Sequence, residues 1–219
     1  MLNKTKGNMY EFISHTWNVI KGECSHNCSY CYMKRWGKLN PVRFDEKELK
    51  TDLGKDNFIF VGSSNDMFAE EIELNYDWTD RVILKCLEHD NKYLLQTKNP
   101  EGYFYHKGLL NNDRFILGCT IESNREYPEI YGNSPSIRDR VDFMSLIKNK
   151  KFITIEPILD FDLEEFVGML KRIKPDWINI GADSGGNNLP EPSKEKIEEL
   201  IRELSFSKID IKKNMKRIS

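Results

Sequence analysis

Three thiols crowd one stretch of this chain. Gly22–Met33 reads GECSHNCSYCYM and places Cys24, Cys28 and Cys31 at spacing C-x3-C-x2-C. Thiolates are the usual ligands of iron–sulfur clusters, and tight local spacing lets one loop wrap one cluster. Three thiolates on a four-iron cluster leave one iron open to bind a substrate or a cofactor. Zinc is the other chemistry that this residue set suggests. A closed zinc site wants four ligands, and the nearby candidates for the fourth are His15 and His26. His26 lies inside the loop, where its ring does not easily share a tetrahedron with the flanking cysteines. Ligand count and spacing favour the cluster.

Further polar residues stand where apolar runs end. Gly62-Ser63-Ser64-Asn65-Asp66 follows the run Phe58–Val61. Lys98 follows Tyr93–Thr97, Thr120 and Glu122 close Phe115–Ile121, and Glu156 follows Phe152–Ile155. Gly181–Gly186, GADSGG, follows Trp177–Ile180 and contains Ser184. Glycines permit close backbone approach to a ligand, and free N–H groups can bind it. Arg138 and Arg140 could clamp a carboxylate, although solvated surface charge is the simpler reading of both. Cys86 and Cys119 fall on apolar faces and read as core residues. The place of Cys119 near a strand end also suggests a hydrogen-atom donor.

These runs alternate with amphipathic helical patterns. Strands are expected at His15–Val19, at the five runs just named and at Ile209–Ile211. Helices are expected over Asp77–His89, from Ile137 to Ile147, over Leu163–Ile173 and from the Ser193 cap to Leu204. A short helix is expected from Tyr30 to Gly37, and Leu39–Gly54 carries no clear pattern. Such alternation argues for βα units around a parallel sheet. Seven strands and five or six helices fit an α/β fold, an incomplete TIM-like (β/α)6 barrel, whose active residues lie at the C-terminal strand ends.

Side chains alternate faces along a strand, and a barrel wrapped by helices is apolar outside. Tyr93, Leu95, Phe115, Leu117, Cys119, Ile153, Ile155, Ile178, Ile180, Ile209 and Ile211 form the outward set. The lumen then collects Gln96, Lys98, Thr120, Glu122, Thr154, Glu156, Asn179, Asp183, Asp210 and Lys212. Buried polar groups need partners. A polar ligand is one source, and mutual hydrogen bonding is the other.

Length and composition set the bounds. The chain has 219 residues, 39% of them hydrophobic, which suits one domain over residues 1–219 with an ample core. The formal net charge of −2 provides no global basic field for nonspecific nucleic-acid binding. Lys212–Arg217 is a short basic exception. Five cysteines, three committed to one loop, argue for a reducing compartment. No apolar run has the length of a membrane span, and the first residues carry no apolar signal region. The expectation is a cytoplasmic protein.

The motif, with the aromatic Tyr30 just before the third cysteine, resembles the signature of the radical S-adenosylmethionine (SAM) superfamily. TWNVIKGEC, FVGSSNDMF, LLQTKNP, ITIEPIL and NIGADSGG further resemble small members encoded by phages and mobile elements, of unsettled function. Together these segments span Thr16–Gly186. A more distant likeness is to spore photoproduct lyase, a DNA-repair member. The resemblance implies a radical SAM core in which Cys24, Cys28 and Cys31 hold a 4Fe–4S cluster and SAM chelates the open iron. It places Tyr30 beside the adenine, and Gly62, Ser63, Ser64 and Asp66 at the SAM ammonium. Here GSSND replaces the commoner Gly-Gly-Glu. Thr120 and Glu122 would hold the ribose or methionine portion, Gly181 and Ser184 the adenine side, and Lys98 and Glu156 complete the candidate set. Reductive cleavage of SAM would give a 5′-deoxyadenosyl radical that takes hydrogen from a substrate. A flavodoxin or ferredoxin-type electron donor is implied. A nucleotide or nucleic acid is the favoured substrate, with a peptide or small metabolite open. The competing class is a non-catalytic iron–sulfur or zinc module acting with a partner protein.

Overall fold

The computed structural model describes residues 1–6, 8–73 and 76–218. Its strands are β1 (Asn3–Lys4), β2 (His15–Trp17), β3 (Ile20–Lys21), β4 (Arg43–Phe44), β5 (Phe58–Val61), β6 (Lys92–Thr97), β7 (Phe115–Thr120), β8 (Lys150–Ile155), β9 (Trp177–Ile180) and β10 (Lys208–Ile211). Eight of them form one sheet in the order β1-β2-β5-β6-β7-β8-β9-β10. From β2 onward every pairing is parallel, and β1 runs antiparallel to β2. The parallel order follows the chain order, so each βα unit adds its strand beside the one before it. The expected α/β architecture is present as an open, mostly parallel sheet whose seven parallel strands coincide with the seven expected ones.

The principal helices are Tyr76–Leu87, Ile137–Leu146, Leu163–Ile173 and Lys194–Glu203. Ser193 and Ser136 each accept a backbone N–H three residues on, so two of these helices start at capping serines. The expected helix after Tyr30 is a 3-10 turn, Tyr32–Trp36. Leu39–Gly54, unassigned from its pattern, supplies β4 and a second 3-10 turn, Glu46–Lys50.

Strand parity holds. Tyr93, Leu95, Phe115, Leu117, Cys119, Ile153, Ile155, Ile178 and Ile180 join the main core outside the sheet. The outermost strand is the exception: Ile211 is 51% exposed, because β10 has no strand beyond it.

The lumen departs from the expectation of a polar interior. Its lower layer is apolar, built from Phe60, Leu94, Ile116 and Phe152 with Tyr10 and Ile13 from the segment before β2. The Tyr10 ring meets Phe152 edge-on at 4.8 Å and stacks on Phe12 at 5.7 Å. Phe12 in turn stacks on Trp177 at 5.9 Å. The N-terminal segment therefore floors the barrel with aromatic rings, and only the upper layer stays polar. Aromatic rings fill an interior too wide for strand side chains alone at little conformational cost.

Candidate functional site at the C-terminal mouth

The cysteine loop is an excursion from the barrel top. β2 runs on into β3, which pairs antiparallel with β4, so residues 22–42 leave and return through one two-stranded neck. Gly22 sits at the neck with φ +109, and a Cβ there would lie 2.5 Å from the Pro41 carbonyl oxygen. Only glycine fits this turn.

Two neighbouring segments hold the loop. From the β5 side, Asn65 Nδ2 donates to the carbonyls of Gly22 and Glu23 at 3.2 and 2.8 Å. Asp66 Oδ2 lies 2.8 Å from His26 Nε2 and accepts from Thr97 Oγ1 at 2.9 Å and the Lys98 N–H at 2.8 Å. Burial opposes ionisation of Asp66, but His26 and these donors outweigh it and hold its carboxyl below the ordinary value. From the other side, the Pro128–Tyr131 turn and the residues just after it grip the loop. The Asn133 N–H donates to the His26 carbonyl at 2.8 Å, and Asn133 Nδ2 to the Ser25 carbonyl at 3.0 Å. The Ser29 N–H donates to the Ile130 carbonyl at 2.9 Å. Gly132, at φ +62, packs so tightly that a Cβ would lie 2.2 Å from the His26 carbonyl oxygen. Sequence reasoning missed the Gly132–Asn133 clamp. Its only local signal is the dipeptide Gly-Asn, an ordinary turn mark.

A cavity of about 1060 Å³ opens at this mouth. Cys24, Cys28 and Cys31 all line it, with Tyr30, Gly62, Ser63, Ser64, Asp66, Lys98, Thr120, Glu156 and Ser184. Glu122 and Gly181 do not. Burial, with Asp66 beside it, raises the Cys24 thiol to about 12.

Glu122 lies behind the wall as the centre of a buried ionic knot. It accepts hydrogen bonds from the Tyr30 hydroxyl and Lys98 Nζ, and from Arg140 Nη1 at 2.9 Å. Burial alone would raise its pKa, but the charges of Lys98 and Arg140 lower it. Its oxygens are committed to protein donors, so Glu122 positions Tyr30 and Lys98 rather than meeting a ligand in the cavity. Arg140 corrects the surface reading: it is fully buried and paired. Burial works against its charge and Glu122 more than restores it.

Gly181 has a steric task. A Cβ at this position would lie 2.6 Å from Glu156 Cδ, so the glycine makes room for that carboxylate. Glu156 pairs with Lys212 Nζ at 2.8 Å and accepts from Asn8 Nδ2 at 3.1 Å, where the N-terminal segment meets the barrel. Part of the polar layer satisfies itself. Tyr10 donates to Gln96 at 2.9 Å, Gln96 to Thr120 at 3.2 Å, and Asn179 to Thr154 at 3.1 Å. Asp183 is a turn organiser, accepting from the Gly185 N–H at 3.0 Å and from the Asn187 backbone and side chain. Asp210 stays outside the cavity wall. Cys119 is fully buried, with burial raising its thiol to about 12, and does not line the cavity either. It is a core residue and not a donor at this mouth.

Cys24, Cys28 and Cys31 share one cavity wall, where thiolates could meet a metal group. Among the described residues no three His, Cys, Asp or Glu side chains converge as a metal-holding group. His26 is bonded to Asp66, and His15 begins β2 at the far end of the strand.

Fold and site together define an incomplete, mostly parallel α/β barrel with a cysteine-lined cavity at its C-terminal mouth. Solved structures of spore photoproduct lyase share this fold. One, a cysteine-to-alanine mutant of the lyase, superposes with a TM-score of 0.62 at 12% identity, covering 91% of this chain and 63% of the lyase. Another, with bound AdoMet and dinucleoside spore photoproduct, gives 0.58 at 12%, covering 93% and 64%. The chain thus spans less than two thirds of the lyase chains. No protein-family model and no curated protein sequence matches it.

Proposed function

We propose that this protein is a radical SAM enzyme. The observation that carries the reading is that three cysteines, with no fourth beside them, share one cavity wall with the polar ends of the barrel strands. The likeness in fold to a lyase solved with AdoMet supports it. Bound here, a 4Fe–4S cluster would supply an electron to SAM, whose cleavage yields the radical that takes hydrogen from a substrate.

The chain's own residues do the rest. Cys24, Cys28 and Cys31 hold the cluster. Asp66, through His26, and Gly132–Asn133 fix the loop that carries them. Tyr30 presents its ring to the cavity, held by Lys98 and Glu122. The turn Gly62–Ser64, with Thr120, Glu156 and Ser184, offers hydroxyl, carboxylate and backbone groups to the polar parts of SAM. The aromatic floor closes the lumen and keeps water from entering below. A flavodoxin or ferredoxin-type donor would supply the electron.

Anaerobic reconstitution tests this. About four irons per chain should bind, and loss of any of Cys24, Cys28 or Cys31 should abolish binding, while Cys86→Ala and Cys119→Ala should retain it. The reduced protein should form 5′-deoxyadenosine from SAM, slowly without substrate. A colourless protein carrying one zinc would replace this reading with the non-catalytic module.

A further inference from the structure

The 3-10 turn that follows the cysteines, Tyr32–Trp36, contains no buried residue. From Ser29 to Phe44 the chain carries Lys34, Arg35, Lys38 and Arg43 and no acidic residue, in a protein of net charge −2. Among the described residues none of these cations forms an ion pair. Lys34 Nζ reaches the Asn27 carbonyl at 3.2 Å, and Arg35 Nε the Tyr32 carbonyl at 2.9 Å. Trp36 is 71% exposed, and Tyr32 is 47% exposed. Tyr32 is nonetheless fixed, because its hydroxyl donates to the Ser63 carbonyl at 2.8 Å and the Arg35 guanidinium lies 5.4 Å from its ring centre. Tyr32, Lys34, Arg35, Trp36 and Lys38 all border the cavity.

Unpaired cations interleaved with open aromatic faces form a surface for a chain that carries both regular negative charge and flat rings. Single-stranded nucleic acid has both. A duplex hides its base faces, and its tight binding calls for a broader basic field than four cations supply. An acidic peptide would use the cations and leave Trp36 without a matching face. We propose that Tyr32–Lys38 is a docking strip for a single-stranded nucleic-acid segment. One base stacks on Trp36 and phosphates lie on Lys34, Arg35 and Lys38, so that a neighbouring nucleotide reaches the cavity. What then happens in the cavity rests on the proposed function; docking itself needs neither cluster nor SAM.

The test is fluorescence anisotropy with a labelled 12-nucleotide oligothymidylate, on as-isolated and cluster-reconstituted protein, across a salt series. Contacts to three phosphates give a slope of log affinity against log salt of about −2. Trp36→Ala should weaken binding about five- to a hundredfold, the worth of one stacked base. Arg35→Glu should weaken binding and flatten the salt slope by about one contact. Circular dichroism should show both variants folded, since both side chains are exposed. Polyglutamate and a duplex of equal length serve as competitors. Absent binding, unchanged affinity in Trp36→Ala, or equal competition by polyglutamate would each overturn the strip. A protein that cleaves SAM yet ignores the oligonucleotide loses only this inference. One that binds it without ever holding iron keeps the strip and loses the proposed chemistry.

Discussion

Gly132→Ala offers the sharpest test of how the cysteine loop is held. At φ +62 and ψ −128 the position lies in a backbone region that side chains seldom tolerate, at a cost of about 1–3 kcal/mol. The added methyl would also sit 2.2 Å from the His26 carbonyl oxygen and 3.0 Å from the Asn27 backbone. Both are backbone groups, so no side-chain rotation relieves the contact. Parting the segments sacrifices the 2.8 Å bond from the Asn133 N–H to the His26 carbonyl, worth about 1 kcal/mol. The sum is about 2–4 kcal/mol, or on the order of 10 °C in melting temperature for a chain of this size. If the loop yields instead of the fold, the loss appears as lower iron loading. Gly168→Ala is the matched control: it lies inside the Leu163–Ile173 helix, where an added Cβ would meet nothing within 4 Å, and should stabilise by about 0.5–1 kcal/mol. Thermal unfolding and anaerobic iron analysis measure both effects. A Gly132→Ala protein with native melting temperature and full iron content would refute the clamp.

Other expectations follow from the buried charges. Asp66→Ala unties His26, Thr97 and the Lys98 N–H together, so it should lower iron loading as well as SAM affinity; a full cluster with only weaker SAM binding, by iron assay and titration calorimetry, would contradict this. Glu122→Ala leaves Arg140 and Lys98 without their partner and should cost about 3–5 kcal/mol in denaturant unfolding. Glu122 and Asp66 both ionise below their ordinary values of 4.5 and 3.8. The stability they add is complete above those values and is lost as pH falls through the lower folded ones. Unfolding free energy measured from pH 7 down to pH 3 should therefore fall less steeply in Glu122→Gln; an identical pH profile would count against the ionic knot.

The sequence by itself determined the chemistry-bearing loop and the sheet. Both are local signals: thiols at fixed spacing, and a two-residue alternation that assigns Leu95, Leu117 and Ile153 to one face whatever else surrounds them. Strand ends followed in turn, because the polar residues that close each run have nowhere to go but the barrel mouth. Tertiary structure decided which of those polar residues face a ligand. Glu122 and Thr120 stand two residues apart on one strand end and share a parity, yet Thr120 lines the cavity and Glu122 is taken by Lys98, Tyr30 and Arg140. Those partners come from three other segments of the chain, and no local pattern registers such a meeting. The aromatic floor arises the same way, since only the folded chain brings Phe152 against Tyr10 and Trp177 against Phe12. Gly181 and Gly132 show the same limit at the backbone. Each glycine is required by an atom far away along the chain, Glu156 Cδ for one and the His26 carbonyl for the other, and only the folded chain puts that atom within reach of a Cβ.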